Sequence, residues 1–309
     1  MRLVRDLNPQ RLKLPATSVA IGNFDGLHRG HQALIDAACS GAGKLAPAIM
    51  CFEPLPATFF NPDQPQKRVL GVRDKIRLAR DAGLDIMFMM RFNAAFSRSS
   101  PEHFVRNVLV RAAGARRVVT GADFTFGSRA AGDVAMLKKL ADRYDFEVVC
   151  VDSVNDSTDT RISSTRIRQA LGQGDLQQVA RLLGRPYRLS GRVLRGRQIG
   201  RTLGFPTVNI RPPLPPALSG VMAVRVSGGG LNSHPGVASL GQRPVLGGTD
   251  WLLEVHLFNF DGDLYGLHLE VEFVEYIRPE LPFDSLADLG TQINKDAHEA
   301  QRMLAAASS

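Results

Sequence analysis

The sequence lacks the features of membrane and secreted proteins. No apolar run reaches about eighteen residues, and the stretch from Met1 to Pro9 has no apolar core of the signal-peptide kind. These absences favour a cytoplasmic protein without a membrane partner. Cysteine is scarce, because Cys39, Cys51 and Cys150 are too few and too scattered for a disulfide framework or a cysteine-rich metal site. Each lies in an apolar stretch, so all three are predicted to be buried free thiols.

Aromatic residues are also few, at 7% of the 309 residues, and no basic run is interleaved with them. This argues against nucleic-acid binding, despite a net charge of +8. The surplus lies in residues 1–184. The remainder is balanced but divided, with nine arginines and no acidic residue from Arg185 to Thr249, then three basic and twelve acidic residues from Asp250 onward. Such a division could serve an anionic ligand together with a cation, or the two stretches could pair across a surface.

Residues 1–184 alternate short apolar runs with helical patterns. Strands are predicted at 18–21, 48–52, 85–90, 117–120 and 146–151, and helices at 31–39, 73–81, 100–114, 134–144, 164–171 and 175–183. Ser100 with Pro101 is typical of a helix start, and Gly184 of the residue that follows a helix. Alternation of this kind predicts a doubly wound sheet of parallel strands.

After Arg185, short β-like runs appear between glycines and prolines, at 187–194, 221–226, 251–258 and 267–276. Asp261-Gly-Asp263 predicts a turn between the last two runs. A final helix is predicted at 285–307. We therefore expect an α/β domain over residues 1–184, followed by a small antiparallel β-barrel with a C-terminal helix over residues 185–309.

The stretch from Ile21 to His31 follows a strand and opens a helix. Its glycines, Gly22, Gly26 and Gly30, allow close approach of the backbone to a ligand, and a helix N-terminus offers N–H groups to phosphate. His28 and His31, three residues apart, could stabilise charge at a phosphate under attack. Metal binding and a purely structural role are the alternatives, and the stretch is not a Walker A loop.

Two later stretches suggest further phosphate contacts. Ser163 or Ser164 can cap a helix whose first turn meets phosphate, with Arg168 as a nearby cation, although an N-capped surface helix is the alternative. In the stretch 191–209, Gly196, Gly200 and Gly204 suit a loop around a phosphate chain that Arg201 could neutralise. Thr207 and Asn209 share a face of an extended strand and are hard ligands for Mg²⁺. A glycine-rich hairpin with solvated arginines is the alternative.

These stretches resemble known motifs. Gly-x-Phe-Asp-Gly-x-His-x-Gly-His resembles the HxGH signature of the nucleotidylyltransferases. Phe52-Glu-Pro54 with Pro56, and the stretches 121–127, 161–168 and 191–209, resemble the bacterial bifunctional riboflavin kinase/FMN adenylyltransferase (FAD synthetase) family. The resemblance runs from about Val19 to Asp296. Met222 and Val245 depart from it, since the family usually has Tyr and Thr there.

The resemblance implies a Rossmann-like nucleotidylyltransferase domain and a riboflavin kinase barrel. It implies that ATP phosphorylates riboflavin to FMN and then adenylylates FMN to FAD, with Mg²⁺ accompanying ATP and flavins as substrates and products. The partners are then ATP, riboflavin and FMN, and weak self-association stays open. By motif, the catalytic residues are His28, His31, Arg168 and Glu254; the nucleotide-binding residues are Gly22, Phe24, Asp25, Gly26, Gly30, Ser164, Thr165, Gly196, Gly200, Arg201 and Gly204; the flavin-binding residues are Asp123, Arg278 and Phe283; and the metal ligands are Thr207 and Asn209.

Two other functions remain open from the residues. One is adenylyl transfer to another phosphorylated small molecule, with a degenerate barrel. The other is a non-enzymatic protein that binds a flavin or RNA.

Overall fold

The computed structural model of the protein describes residues 1–6, 13–195, 205–245 and 248–307. The chain divides into two compact units. The first comprises Met1–Gln66 and Lys75–Ile162, and the second comprises Lys67–Asp74 and Ser163–Ser309.

The first unit is built on a six-stranded sheet. Its strands are β1 (Arg2–Val4), β2 (Thr17–Ile21), β3 (Ala46–Glu53), β4 (Ile86–Arg91), β5 (Ala115–Gly121) and β6 (Glu147–Val151). They lie in the order β1-β4-β3-β2-β5-β6, and every neighbouring pair is parallel. The central strand β2 is buried along its whole length, as expected for a sheet covered on both faces. The predicted doubly wound sheet is confirmed.

Helices connect these strands. They are α1 (Arg29–Ser40), α2 (Pro56–Phe60), α3 (Val72–Asp81), α4 (Ala94–Ser97), α5 (Pro101–His103) and α6 (Val134–Tyr144). The helix predicted at 100–114 begins as expected, since the Ser100 hydroxyl accepts a hydrogen bond from the His103 backbone N–H at 3.2 Å. It continues beyond α5 with π-helical hydrogen bonding over Phe104–Ala112, which a sequence pattern does not distinguish from an α-helix.

The second unit contains a closed barrel. Its strands are β7 (Tyr187–Leu194), β8 (Thr207–Ile210), β9 (Gly220–Gly228), β10 (Leu231–Val245), β11 (Gly248–Leu257) and β12 (His268–Arg278), in the order β10-β11-β8-β7-β12-β9. All neighbouring pairs are antiparallel. Three helices join the barrel in this unit: α7 (Ser164–Gln173), α8 (Leu176–Leu183) and α9 (Leu286–Ala306). The apolar face of α9, including Ala297, Ala300 and Leu304, packs on residues of β9 and β10. The predicted barrel and C-terminal helix are confirmed.

Two local predictions are wrong. Asp261-Gly-Asp263 does not form a turn between paired strands, because β12 pairs with β7 and β9 rather than with β11. The chain turns instead at Asn259 and Gly266, which have φ angles of 51° and 76°. The prediction of three buried thiols holds for Cys51 alone: Cys39 is half-buried, and Cys150 is exposed on β6, the edge strand of its sheet.

The basic and acidic stretches of the barrel sequence form ion pairs with each other. Arg188 contacts Glu270 and Glu272, and Arg211 contacts Asp250 at 3.1 Å. Arg243 contacts two carboxylates, which are described with the site. The basic stretch and the acidic stretch therefore meet across the barrel surface. Within the described residues, no helix combines the length and the apolar character needed to cross a bilayer.

Candidate active sites

The first candidate site lies at the carboxyl edge of the parallel sheet. From β2 the chain proceeds to β3 and β4 on one side, whereas β5 and β6 lie on the other. The order of the strands therefore reverses between β2 and β5, and ligands of such sheets bind outside the carboxyl ends at this point. The loop that carries His28 follows β2, and the loop that carries Asp123 follows β5.

His28 serves as the N-cap of α1. Its Nδ1 accepts a hydrogen bond from the His31 backbone N–H at 3.3 Å, and its carbonyl oxygen accepts from the same N–H at 2.7 Å. Because Nδ1 is an acceptor, the neutral ring carries its proton on Nε2. The two imidazoles stack, with ring centroids 3.6 Å apart and planes inclined by 21°. The structure thus brings the predicted histidine pair together at a helix N-terminus, where positive dipole and donor groups favour phosphate.

The loop before His28 is held in an unusual backbone conformation. Phe24 and Leu27 have φ angles of 48° and 45°, although neither is glycine, and Gly26 has a φ of 91°. Such angles persist only where the surroundings hold them. Phe24 is wholly buried, and its ring lies 5.1 Å from that of His31. The fully buried Lys75 ammonium donates to the Asn23 carbonyl oxygen at 3.1 Å. The packing therefore fixes the loop in place beneath the histidines.

Two predicted glycines leave room for neighbouring rings. A Cβ on Gly30 would lie 3.2 Å from both Cε1 and Nδ1 of His28. A Cβ on Gly22 would lie 3.4 Å from the Phe24 ring. Gly30 therefore allows the His28 ring to lie against the first turn of α1. Asp25, the remaining predicted residue of the loop, is wholly buried.

Asp123 lies in the loop after β5, where its carboxylate accepts from Arg161 at 2.7 Å. Beside it begins a row of phenylalanine rings that the sequence analysis missed. Neighbouring ring centroids are 5.2–6.0 Å apart, and the row consists of Phe124, Phe126, Phe104, Phe96, Phe92, Phe52, Phe59 and Phe60. Most of these follow β3, β4 or β5 at the carboxyl edge. The signal was present, since 16 phenylalanines dominate the aromatic residues.

The predicted residues of α7 belong to the second unit. The Ser163 hydroxyl accepts from the Arg166 backbone N–H at 3.3 Å, so Ser163 is the N-cap. Ser164 and Thr165 therefore occupy the first turn, where the backbone N–H groups lack helical acceptors. Arg168, one turn later, donates through Nε to the Lys67 carbonyl oxygen at 2.8 Å.

The second candidate site lies on the barrel, where three predicted residues share one face. Asn209 of β8 is opposite Glu254 of β11, and Thr207 is opposite His256. Since side chains of a strand alternate between its faces, these four lie together on one side. The strand neighbours Ile210, Leu253 and Val255, whose side chains alternate with these, are buried in the barrel core. A hydroxyl, an amide and a carboxylate are thereby gathered on adjacent strands, as the motif implied.

Glu254 has a cationic neighbour that the sequence analysis did not identify. The Arg243 guanidinium donates to its Oε2 from Nη2 at 3.0 Å and from Nε at 3.3 Å. Through Nη1 the same guanidinium donates to Glu280 at 2.7 Å. Burial opposes the charge on Arg243, but the two carboxylates outweigh it and raise the pKa of Arg243 above its ordinary value.

Arg278, a predicted flavin contact, forms an ion pair with the buried Asp296. Its Nε and Nη2 donate to the two carboxylate oxygens at 2.9 and 2.6 Å, the fork geometry that arginine favours. The Phe283 ring centroid lies 5.9 Å from the guanidinium carbon. The ion pair between Arg278 and Asp296 therefore joins β12 to α9. Gly196, Gly200, Arg201 and Gly204 lie outside the described residues.

Comparison with known proteins places both halves of the chain in characterised families. The FAD synthetase family model matches residues 11–166, and the riboflavin kinase family model matches residues 183–304.

Full-length relatives carry both halves. Proteins described as bifunctional riboflavin kinase/FMN adenylyltransferase include one from Haemophilus influenzae, 39% identical over 97% of this chain and 98% of the relative, and one from Escherichia coli K12, 38% identical over 96% of each. The relative from Pseudomonas fluorescens is 39% identical over 99% of this chain and 98% of its own. A crystal structure from Streptococcus pneumoniae, described as a macrolide-efflux protein, matches with a TM-score of 0.81 and 31% identity over 98% of this chain and 99% of that one.

Proposed function

The chain belongs to the family of bifunctional riboflavin kinases/FMN adenylyltransferases, and from that premise we propose how its residues divide the two reactions. The enzyme phosphorylates riboflavin with ATP to give FMN, then adenylylates FMN with a second ATP to give FAD and pyrophosphate. This activity rules out the two other functions considered from the sequence, which were adenylyl transfer to another phosphorylated small molecule and non-enzymatic binding of a flavin or RNA. We assign adenylylation to residues 1–184 and the kinase to residues 185–309, and we expect both to proceed in the cytoplasm.

In adenylylation, a phosphate oxygen of FMN attacks the α-phosphorus of ATP, and pyrophosphate leaves. Charge develops on the phosphate oxygens, so donors that are already oriented lower the barrier. His28 and His31 are assigned this role, because their rings stack at the N-terminus of α1 and the proton of neutral His28 is on Nε2. Gly22, Phe24, Asp25, Gly26 and Gly30 shape the nucleotide loop. Ser164, Thr165 and Arg168 are assigned further ATP contacts on the strength of their motif. No enzyme nucleophile is needed, so no covalent enzyme intermediate is expected.

The flavin of this reaction is assigned to the row of phenylalanine rings beside Asp123. An isoalloxazine is a large planar ring that stacks on aromatic side chains. Phe60, at one end of the row, is 68% exposed, which is unusual for phenylalanine. An exposed ring continuous with a packed aromatic row gives an apolar surface that water leaves when the flavin binds.

In the kinase reaction, Glu254 accepts the proton of the terminal ribityl hydroxyl as that oxygen attacks the γ-phosphorus of ATP, and ADP leaves. The observation that carries this assignment is the pairing of Glu254 with Asn209 on adjacent strands, which sets a base beside a predicted metal ligand. Arg278 and Phe283 are assigned to the flavin side, and Gly196, Gly200, Arg201 and Gly204 to the phosphate loop, by motif.

The donor set of the barrel fits Mg²⁺ that arrives with ATP. Thr207 and Asn209 offer a hydroxyl and an amide oxygen on one face, and Mg²⁺ takes few protein ligands when phosphates supply the others. Among the described residues, His, Cys, Asp and Glu side chains form no group of three that could hold a metal by itself. Bound there, Mg²⁺ would neutralise charge on the transferring phosphate. Thr207 and Asn209 would orient it.

Flavin chromatography after incubation with riboflavin, ATP and Mg²⁺ tests both assignments on one chain. Glu254→Gln should form FMN at least about 100-fold more slowly than the native enzyme, because the proton acceptor is lost, but should convert supplied FMN to FAD at the native rate. The double variant His28→Ala, His31→Ala should accumulate FMN without FAD. Glu272→Gln on β12 and His103→Ala on α5 are the matched controls, expected to retain both activities. Native FMN formation by Glu254→Gln, or native FAD formation by the histidine variant, would show that the corresponding assignment is wrong.

A further inference from the structure

Arg243 reaches Glu254 from some distance along the barrel. On β10, Ser239 is the residue opposite Glu254, and Arg243 lies four residues further along the strand, about 13 Å at the usual rise. The Arg243 side chain extends back across this gap, with Nη2 3.4 Å from the Ser239 hydroxyl and 3.0 Å from the Glu254 carboxylate. Few side chains other than arginine combine this reach with several donors.

The contact is asymmetric at the carboxylate. Nε and Nη2 of Arg243 both donate to Oε2 of Glu254. In the described part of the chain, no hydrogen-bond donor contacts Oε1. Two donors on one oxygen restrict rotation of the carboxylate, and the other oxygen is available for a substrate hydroxyl.

Arg243 is itself restrained from the opposite side. Its Nη1 donates to Glu280, which follows Arg278 by two residues, and Arg278 is tied to the buried Asp296. The Glu280 carboxylate also occupies the space where a Cβ on Gly241 would lie. The side chains of Arg243, Glu254 and Glu280 are about one-third exposed, at 35%, 33% and 36%. The guanidinium is therefore fixed by protein groups rather than by solvent alone.

We propose that Arg243 is a positioning residue of the kinase reaction, which orients the Glu254 carboxylate toward the ribityl hydroxyl and is itself held by Glu280. The proposal rests on the assignment of Glu254 as the base. A glutamate side chain has three rotatable bonds, and a proton acceptor must lie within hydrogen-bond reach of its donor in a defined direction. The benefit that Arg243 gives is therefore a fixed orientation of the Glu254 carboxylate.

The test is a double-mutant cycle on the full-length enzyme. Glu254→Gln, Arg243→Gln, the double variant and Arg243→Lys are compared for FMN formation, with kcat and KM measured separately for riboflavin and for MgATP. Adenylylation of supplied FMN by the same preparations reports correct folding. Glu280→Gln, which removes the negative charge that supports Arg243 but no contact to Glu254, is a fifth variant.

Arg243→Gln should lower the kinase kcat by about 10- to 100-fold, the range expected for a misdirected catalytic group, with each KM within about threefold. Arg243→Lys keeps the positive charge but has a single nitrogen in place of Nε and Nη2, so its kinase kcat should lie between those of Arg243→Gln and the native enzyme. Glu280→Gln should lower the kinase kcat by a few fold. In the Glu254→Gln background, Arg243→Gln should add less than a twofold loss. Adenylylation should stay at the native rate throughout.

Several outcomes overturn the proposal. The arginine does not act through Glu254 if Arg243→Gln retains the kinase kcat or changes only KM. The same holds if this variant lowers FMN formation and adenylylation together. Additive losses in the double variant mean the same. A Glu254→Gln enzyme that makes FMN at the native rate refutes the proposed function of Glu254. A strongly slowed Glu254→Gln beside a fully active Arg243→Gln refutes only the role of Arg243.

Discussion

Replacing Gly30 with alanine should weaken adenylylation while leaving the fold intact. Gly30 is the second residue of α1, and the added Cβ would lie 3.2 Å from both Cε1 and Nδ1 of His28. Ordinary carbon contacts are about 3.5–4.0 Å, so the ring must move by a few tenths of an ångström. The hydrogen bond from the His31 N–H to Nδ1, already 3.3 Å long, would then lengthen, and His28 would lose its orientation.

The magnitude follows from that displacement. A misplacement of about 1 Å costs on the order of 100-fold in rate, so a few tenths should cost about 5- to 30-fold, or about 1–2 kcal/mol of barrier. Helix propensity acts in the opposite direction, since alanine is favoured over glycine in a helix by up to about 1 kcal/mol. The variant should therefore combine a native or slightly raised Tm with a slower conversion of FMN to FAD.

The assay follows both activities of one preparation by flavin chromatography, together with thermal unfolding. FMN formation from riboflavin is the internal control and should be native. Gly290→Ala in α9 is the matched control, because its Cβ meets no atom within 4 Å; it should gain helix propensity without changing adenylylation. A Gly30→Ala enzyme with native kcat/KM for FMN, or with equal losses in both reactions, would refute the reasoning.

Three further predictions test other parts of the molecule. Asn209→Ala should raise the MgATP concentration needed for half-maximal kinase activity by about tenfold, because a magnesium ligand is lost, and FAD formation from FMN should not change. Phe60→Ala should raise KM for FMN in adenylylation about fivefold, the loss of about 1 kcal/mol of stacking, while KM for riboflavin stays native. A thiol reagent followed by mass spectrometry should label the exposed Cys150 first and the buried Cys51 only on unfolding. Labelling of Cys39 should be slow near neutral pH, since burial and then the nearby carboxylates raise its pKa and leave less thiolate. An unchanged MgATP requirement of Asn209→Ala would contradict the first prediction, and an unchanged KM of Phe60→Ala for FMN would contradict the second. The third would be contradicted by a faster reaction at Cys39 than at Cys150.

The α/β unit was predictable because its signals are local. Apolar runs identify buried parallel strands, and capping residues mark helix ends: Ser100 caps α5, and Gly184 ends α8 with a φ of 72°, both as the sequence predicts. The histidine pair was also predictable, because residues three apart at a helix start lie near each other whatever the rest of the chain does.

The longest strand of the barrel, β10, was missed because its sequence contains two glycines and two prolines. Glycine and proline usually interrupt strands, but in β10 the close approach of the neighbouring strand leaves no room for a side chain at a glycine position. A Cβ on Gly236 would lie 2.5 Å from the His256 carbonyl oxygen on β11. The reason for Gly236 lies in the partner strand, about twenty residues away, and a pattern within one strand does not contain it.

The kinase site was also predictable only in its local features. The two-residue spacing of Thr207 and Asn209 predicts that they share a face, and this is confirmed by their register with β11. That Glu254 lies opposite Asn209 depends on which strands pair. The contact of Arg243 with Glu254 depends in addition on a side chain that extends along its strand, so the divided charge of the sequence indicated pairing but not the partners.

The short length of β8 has a consequence for local stability. Its four residues close the barrel, and within the described ranges 13–195 and 205–245 its pairing with β7 is at Ile210 and Asn209. A seam held by so few ladder bonds is where a barrel opens first, and amide hydrogens there should exchange with solvent sooner than those of β9 or β12. A nucleotide that binds to residues of β8 would stabilise this strand in its folded position, so slower deuterium uptake at β8 would report occupancy of the kinase site without any measurement of turnover.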